Sequence, residues 1–476
     1  MSPQISSAGK RLNVAVVGSG PAGFYTAEEL LSVADATVQV DMLDRLATPW
    51  GLVRAGVAPD HPKIKLVSRA YERTATHSMF RFFGNVEVGV DVTHAELARH
   101  YHAVVYAVGA STDRRLGIPG EDLPGSHAAT DFVGWYNGHP DFADHVFDLS
   151  GRRAIVVGNG NVALDVARML ALTPGELAAT DTADHALQAL AASSVEEIVV
   201  LGRRGPAQAA FTSVELRELA ELADADIVVD AVDVELDEHS AAFLASDAAT
   251  TRTRRNVEIL RQYAARSQEG KRKRIILRFL MSPLEILGID GVTAVRVVRN
   301  EIALSTGGDL TARPTEQIET IEADLVLRSI GYRGIPIEGL PFDSQRAVFH
   351  NEAGRVMDPG TVKPLPGVYV AGWVKRGPSG IIGTNKKCAR ETVERLLEDA
   401  ADCRLPEPDA TPDELMMRME SRGTKIVTYR GWAAIDTHER GLGESLGRPR
   451  VKLVRRDEML THALGGEHLL FSVRST

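Results

Sequence analysis

VAVVGSGPAGFYTAEEL, residues 14–30, and AIVVGNGNVALDVARML, residues 154–170, are two copies of one local design. In each, a run of small and β-branched apolar residues meets a glycine-rich turn, and the turn opens an amphipathic helical pattern. Gly18, Gly20 and Gly23 fill the three key positions of the first turn; Gly158, Gly160 and Ala163 fill those of the second. The spacing G-x-G-x-x-G/A permits a tight turn, close approach of backbone to a pyrophosphate, and N–H groups at a helix start aimed at the anion. A single copy is weak, because ordinary strand-to-helix turns also use glycine. Two copies in strand–turn–helix context predict a chain that holds two nucleotides and passes electrons from one to the other.

The residues beyond each turn distinguish the two ligands. After the first, a helix is expected over Pro21–Leu31 and a second strand over Thr37–Leu43, ending in Asp44. A carboxylate about 20 residues beyond the glycines accepts the ribose hydroxyls and rejects a 2′-phosphate, which suits FAD or NAD. After the second turn, a helix is expected over Val162–Leu172, then an insertion rich in Ala, Thr and Asp, then a strand over Val195–Leu201. That strand ends in Gly202-Arg203-Arg204, where the first unit had an acid. Two guanidiniums at this place form paired, charge-assisted hydrogen bonds to a 2′-phosphate and favour NADPH over NADH. The plainer alternative is an arginine pair on a surface strand end.

Other residues carry open alternatives. TPWGLVRAGVAPDHPKIK, residues 48–65, reads as a loop along the first cofactor, and its His61 is either an exposed loop histidine or a functional one. Strand patterns are expected at Asn85–Val92 and Ala103–Val108. Asp165, in an otherwise apolar helical stretch, pairs with Arg168 on its own helix or faces the cofactor. Glu215 is a ribose contact or a first-turn acid favoured by the helix dipole. From Ala323 a strand leads through a Pro- and Gly-rich linker to a strand at Val368–Ala371, a loop containing Trp373, and a helix from about Ile381. Gly380 and Gly383 at that helix start can bring backbone N–H groups against a flavin ring edge. The chain end thus returns to complete the first domain. The predicted fold is α/β with two Rossmann-like dinucleotide-binding domains: a discontinuous FAD domain, 1–112 and 338–476, and an NADP domain, 113–337.

Length and composition are consistent with this. A chain of 476 residues accommodates two or three domains. Its two cysteines, Cys388 and Cys403, are not spaced as a redox dithiol, and they are too few for an iron–sulfur site built on cysteines. Electrons therefore leave for an acceptor outside the chain. The net charge of −10 argues against nucleic acid as a partner. Basic clusters at Arg252–Arg255, Lys271–Arg274 and Arg448–Arg456 read as solvated faces or docking patches. No apolar run is long enough to span a bilayer, and MSPQISSAGK is too short and polar for a signal peptide, so a cytoplasmic protein is expected.

GSGPAGFYTA, FGNVEV, GNGNVALDVAR, GRRGPAQAAFTSVELREL, AGWVKRGPSGIIGTNK and the GW-x-x-ID around Trp432 together resemble the adrenodoxin reductase family of ferredoxin–NADP reductases. The resemblance runs through nearly the whole chain and is weaker at Ala178–Ser193 and Asp233–Arg274. Gly372-Trp373 is the distinctive element, since broader two-nucleotide flavoproteins commonly have Gly-Asp there. The resemblance implies FAD contacts at Ala22, Asp44, Leu52, Val88, Trp373, Gly380, Ile381 and Ile382. It implies NADP(H) contacts at Asn159, Gly160, Asn161 and Val162, with the 2′-phosphate on Arg203 and Arg204, a further contact from Glu215, and Gly380 shared. His61 and Asp165 match a polar pair associated with proton handling or domain coupling. Asp44 departs from the Glu of many relatives. The implied reaction is hydride transfer from NADPH to the flavin, then two one-electron transfers to a small acidic iron–sulfur protein that docks transiently, with Arg252–Arg255 as its landing region. Rival readings are a diaphorase or quinone reductase, a flavin monooxygenase, and a non-catalytic flavin-bound partner protein. A disulfide reductase is opposed by the missing dithiol.

Overall fold

In the computed structural model, residues 11–33 and 37–471 are described; the segment MSPQISSAGK, residues 1–10, lies outside them. The chain divides into two compact units: one runs up to Val57, over His61–Thr112 and from Tyr332 onward, and the other comprises Ala58–Asp60 and Asp113–Gly331.

The first unit is built on a seven-stranded sheet whose order is Asn351–Glu352, Arg355–Asp358, Lys363–Val370, Ala103–Tyr106, Leu12–Val17, Val38–Asp44, Phe80–Gly84. The last five run parallel, and the late strand joins through Val368 opposite Val104. Val14–Val16 are wholly buried, as expected of a parallel strand covered on both faces. One apolar layer joins Phe24, Leu30, Val40, Tyr71, Val393 and Trp432; the opposite layer joins Val17, Leu97, Tyr101, Phe349 and Leu415.

The second unit holds a six-stranded sheet, all parallel, in the order Ser126–Ala128, Leu325–Arg328, Arg153–Val157, Glu197–Leu201, Lys273–Arg278, Ala225–Val229. In both sheets the strand leading into the glycine turn has its sequence-next strand on one side and a later one on the other. That is the topological switch point, where an open parallel sheet leaves a crevice at its carboxyl edge. A separate antiparallel sheet, Met281–Gly288, Val292–Leu304 and Leu310–Glu322, completes the unit.

Several local expectations are corrected. The strand expected at Asn85–Val92 is instead Phe80–Gly84, followed by a turn with an isolated Val88–Val92 bridge, because Asn85 takes a left-handed backbone (φ 58°) and ends the ladder. The loop at residues 48–65 contains two short helices, Leu52–Ala55 and Pro62–Lys65. The late helix starts at Thr384, not at about Ile381. Two of the basic clusters are largely spent on internal pairing. Lys271 and Arg272 bond to Leu222 O and Asp224, Arg274 pairs with Glu197, and Arg450 and Lys452 are engaged inside the first unit.

Lys273 is 2 % exposed, and its Nζ donates to the carbonyl of Leu170, in the last turn of the helix Asn161–Ala171, at 2.6 Å. A cation there favours the helix dipole, yet desolvation wins and pushes the amine down to about 8. A depressed lysine contributes stability above its unfolded range and loses it as pH falls through the folded value. Urea unfolding from pH 7 to pH 11 is therefore expected to show wild type gaining about 3 kcal/mol on K273M between about pH 8 and pH 10.5, with parallel behaviour below pH 8. Parallel curves across the whole range would refute this.

Candidate functional site: two glycine cradles

In the first unit, Gly18 has φ 104°, and a Cβ there would stand 2.6 Å from Ala107 O; a Cβ on Gly23 would stand 1.9 Å from Gly18 O. The two glycines let the turn fold tightly against the next strand and let the helix Pro21–Leu31 close on the turn. Gly20, the N-cap, faces more open space, with Gly51 Cα 3.9 Å from its Cβ direction and no side chain capping the helix. Uncapped N–H groups at a helix start form an anion site.

Asp44 ends the neighbouring strand and its carboxylate is already oriented: Oδ2 accepts from Ser19 N (2.8 Å) and Ser19 Oγ (2.6 Å), and Oδ1 from Leu46 N (2.9 Å). The Asp44 carbonyl accepts from Val86 N, which ties the turn carrying Val88 to the same corner. Leu52 follows Gly51, and a Cβ on Gly51 (φ 49°) would stand 2.8 Å from Gly20 Cα, so this loop presses on the cradle. The late segment arrives opposite, since a Cβ on Gly372 would stand 2.5 Å from Ala22 Cβ. Trp373 comes next; its indole Nε1 is buried with no acceptor among the described residues. Ile381 N donates to Thr384 Oγ1, Asn385 Nδ2 donates to Ile382 O, and Arg376 spans the loop by donating to Ser379 O and to Asn385 Oδ1. The unit thus gathers Gly18, Gly20, Ala22, Gly23, Asp44 and Leu52 around one turn. The segment bearing Trp373, Gly380, Ile381 and Ile382 is joined to it through Gly372. His61 is buried at the N-cap of Pro62–Lys65 rather than exposed.

The second unit repeats the plan. Gly158 has φ 134°, and a Cβ there would meet Ser329 O at 2.1 Å, whereas nothing lies within 4 Å of the Cβ direction of Gly160. The helix Asn161–Ala171 has no side-chain cap. Asn159 O accepts from Ala210 N, and Asn161 Oδ1 accepts from Thr212 N at 2.7 Å. The two asparagines thereby fix the strand exit Gly202–Ser213 beside the turn. Asn159 Nδ2 is buried without an acceptor among the described residues. Arg203 is exposed and Arg204 half-buried, and neither is ion-paired among the described residues. Burial and the adjacent Arg203 charge pull Arg204 below the usual guanidinium value.

Asp165 pairs with Arg168 on its own helix at 2.8 Å, the first of its two alternatives. Arg168 is 3 % exposed and also binds Asp60 (2.5 Å), Glu215 (3.3 Å) and Glu218 (3.8 Å). Four carboxylates thus lie against the Arg168 guanidinium, and burial, with Asp165 close by, raises Glu215 above the ordinary carboxylate range. Sequence reasoning missed Asp60 and Glu218 as members of this cluster. It also missed buried Asn300, whose Nδ2 donates to Arg203 O at 2.8 Å and fixes the arginine pair from the antiparallel sheet. Residues that act through a carbonyl leave no spacing signature.

Residues 12–200 match the family described as pyridine nucleotide-disulphide oxidoreductase. NADPH-ferredoxin reductase FprA of Mycobacterium leprae is 50% identical over 456 residues, covering 94% of this chain and 97% of that one. Mitochondrial NADPH:adrenodoxin oxidoreductase of Arabidopsis thaliana is 40% identical, covering 97% and 98%. The solved structure of Mycobacterium tuberculosis FprA in complex with NADPH superposes with TM-score 0.90 at 48% identity, covering 96% of this chain and all of that one. The chain belongs to the adrenodoxin reductase-type family of NADPH-ferredoxin reductases. Its two cysteines are both free, Cys388 buried and Cys403 exposed.

The two glycines of the second cradle separate folding from binding. G158A is expected to cost at least 3 kcal/mol in urea unfolding, because backbone must move to clear the methyl group. G160A is expected to cost about 1 kcal/mol, as for loss of an N-cap glycine, yet to lose dinucleotide affinity because the methyl group fills the anion's approach. Equal stability losses in the two variants would refute this account of the turn.

Proposed function

We propose that this protein is a ferredoxin–NADP reductase that uses FAD to carry electrons between NADPH and a one-electron iron–sulfur protein. The observation that carries this reading is the pairing of two like cradles with unlike ends, Asp44 beyond the first and Arg203-Arg204 beyond the second. Near-full-length likeness to proteins named for the activity supports it. FAD is assigned to the first unit, on Gly18, Gly20, Ala22, Gly23, Asp44, Leu52, Val88, Trp373 and Gly380–Ile382. NADPH is assigned to the second, on Asn159–Val162, Arg203, Arg204 and Glu215. The residues fit these groups: each helix start has no side-chain cap, and Trp373 and Asn159 each hold a buried donor lacking an acceptor among the described residues. Bound FAD supplies the conversion between a two-electron donor and one-electron acceptors.

The chain's own residues bind and discriminate. The helix starts at Pro21 and Asn161 oppose pyrophosphate charge, Asp44 takes ribose hydroxyls, and the arginine pair takes the 2′-phosphate. Burial and the neighbouring Asp165 charge raise Glu215 above the ordinary carboxylate range and favour its protonated form. His61 and Asp165 are the proposed proton-handling pair. Among the described residues no helix is long and apolar enough to cross a membrane. The proposed setting is the cytoplasm. The acidic iron–sulfur partner is proposed to dock transiently at Arg252 and Arg255, which are exposed on the helix Thr251–Ala265.

Three measurements test this. Anaerobic NADPH titration of the purified yellow protein is expected to bleach the flavin within seconds, and added ferredoxin to restore it faster than oxygen or quinones; a colourless protein after reconstitution with FAD would overturn the reading. R203A/R204A is expected to raise the KM for NADPH by about two orders of magnitude and leave that for NADH within about threefold. An unchanged preference would remove the second-site assignment. R252E/R255E is expected to raise the KM for ferredoxin about tenfold at low ionic strength, a difference that shrinks with added salt. A salt-independent effect, or none, would move the docking site elsewhere.

A further inference from the structure

The GW-x-x-ID signature around Trp432 has no role in the two cradles. It lies on the helix Tyr429–Ser445, which with the segment Arg448–Arg456 grips the loop containing Trp50, Gly51 and Arg54. Glu439, one turn beyond the signature, is 0 % exposed. Its Oε1 accepts from Arg54 Nη2 at 2.5 Å and its Oε2 from Arg54 Nη1 at 2.8 Å, a two-pronged pairing. Arg450 Nη1 bridges Glu439 Oε2 (3.0 Å) and Asp436 Oδ1 (2.6 Å), and Leu453 N adds a third donor to Glu439 at 2.8 Å. Lys452 Nζ donates to Arg54 O at 3.2 Å, so the same segment holds both the guanidinium and the backbone of Arg54. The Arg54 guanidinium lies 5.3 Å from the ring centre of Trp432, which meets Trp50 edge-on at 6.2 Å. Burial opposes ionisation of Glu439, yet Arg54 and Arg450 hold it below the ordinary carboxylate range.

The gripped turn is strained. Trp50 takes φ 85°, a left-handed conformation that a bulky residue adopts only when its surroundings over-determine it, and Gly51 comes next at φ 49°. Trp50 N donates to Ser19 O at 3.0 Å, inside the first glycine turn, and Gly51 packs on Gly20. The strained pair therefore bears on the cradle, and Arg54, three residues on, is its anchor.

We propose that the C-terminal segment Tyr429–Arg456 is a clasp that holds the Trp50–Gly51 turn against Gly20, with Glu439 and Arg54 as positioning residues for FAD. This rests on the assignment of FAD to the first unit. In the whole protein, E439Q and R54M are each expected to speed FAD dissociation at least tenfold, read by flavin fluorescence, and to diminish the visible circular dichroism of the bound flavin. The double variant is expected to be no worse than either single one, because both remove one pairing. R54K keeps the charge and loses the fork, so it is expected to fall between wild type and R54M. Affinity for 2′,5′-ADP, a probe of the second unit, is expected to stay within twofold of wild type in every variant. If E439Q does not fold, R54K decides. Folded variants that release FAD at the wild-type rate, or additive effects in the double variant, would overturn the clasp. A wild-type chain that takes up no FAD would instead overturn the assignment on which it rests.

Discussion

Uncapped N–H groups at the starts of the helices Pro21–Leu31 and Asn161–Ala171 are the constraint around which this molecule is organised. A helix start left without a side-chain cap is unfavourable in isolation, and an anion relieves it. For the anion to reach the backbone, the turn before each helix must be nearly bare. Gly18 and Gly158 are pressed against Ala107 O and Ser329 O so closely that a methyl group has no room. Both contacts come from the strand or strand end on the far side of the switch point. Chain order, strand order and glycine placement are thus one requirement expressed three times.

The groups the fold places beside those turns differ between the two units. Asp44 is aimed by Ser19, a residue of the turn itself, so the acid and the first cradle are one rigid piece. The arginine pair is held differently. Asn300 and Leu280 bond the carbonyls of Arg203 and Arg204, and Met281 N bonds that of Gly202. All three belong to or border the antiparallel sheet, which gives that sheet a purpose beyond filling the unit. It fixes the backbone of two adjacent arginines.

The parts legible in the sequence are those governed by local periodicity and by turns that demand glycine. The helix Pro21–Leu31 and the return of Val368–Val370 beside Val104 come from such signals. Asn85–Val92 misled because apolar alternation continues past Gly84, while a left-handed Asn85 ends the pairing. The long strand Leu310–Glu322 escaped notice because most of it is exposed and polar, so no apolar run marks it. Arg168 was readable only as a partner of Asp165. Its bonds to Asp60, 108 residues away, and to Glu215, 47 residues away, are set by tertiary packing. No sequence spacing encodes such a meeting.

The two buried ion clusters show why charge balance matters more than the number of pairs. Burying ions is costly, and a structural pair repays that cost only when its charges match and its hydrogen bonds are filled. Glu439 meets this standard: Arg54, Arg450 and Leu453 N saturate it, and it stays ionised although it is wholly buried. Around Arg168 four carboxylates crowd one guanidinium, and burial drives Glu215 toward its protonated form. The first arrangement suits a fastener. In the second, burial and the neighbouring Asp165 charge favour the protonated form of Glu215.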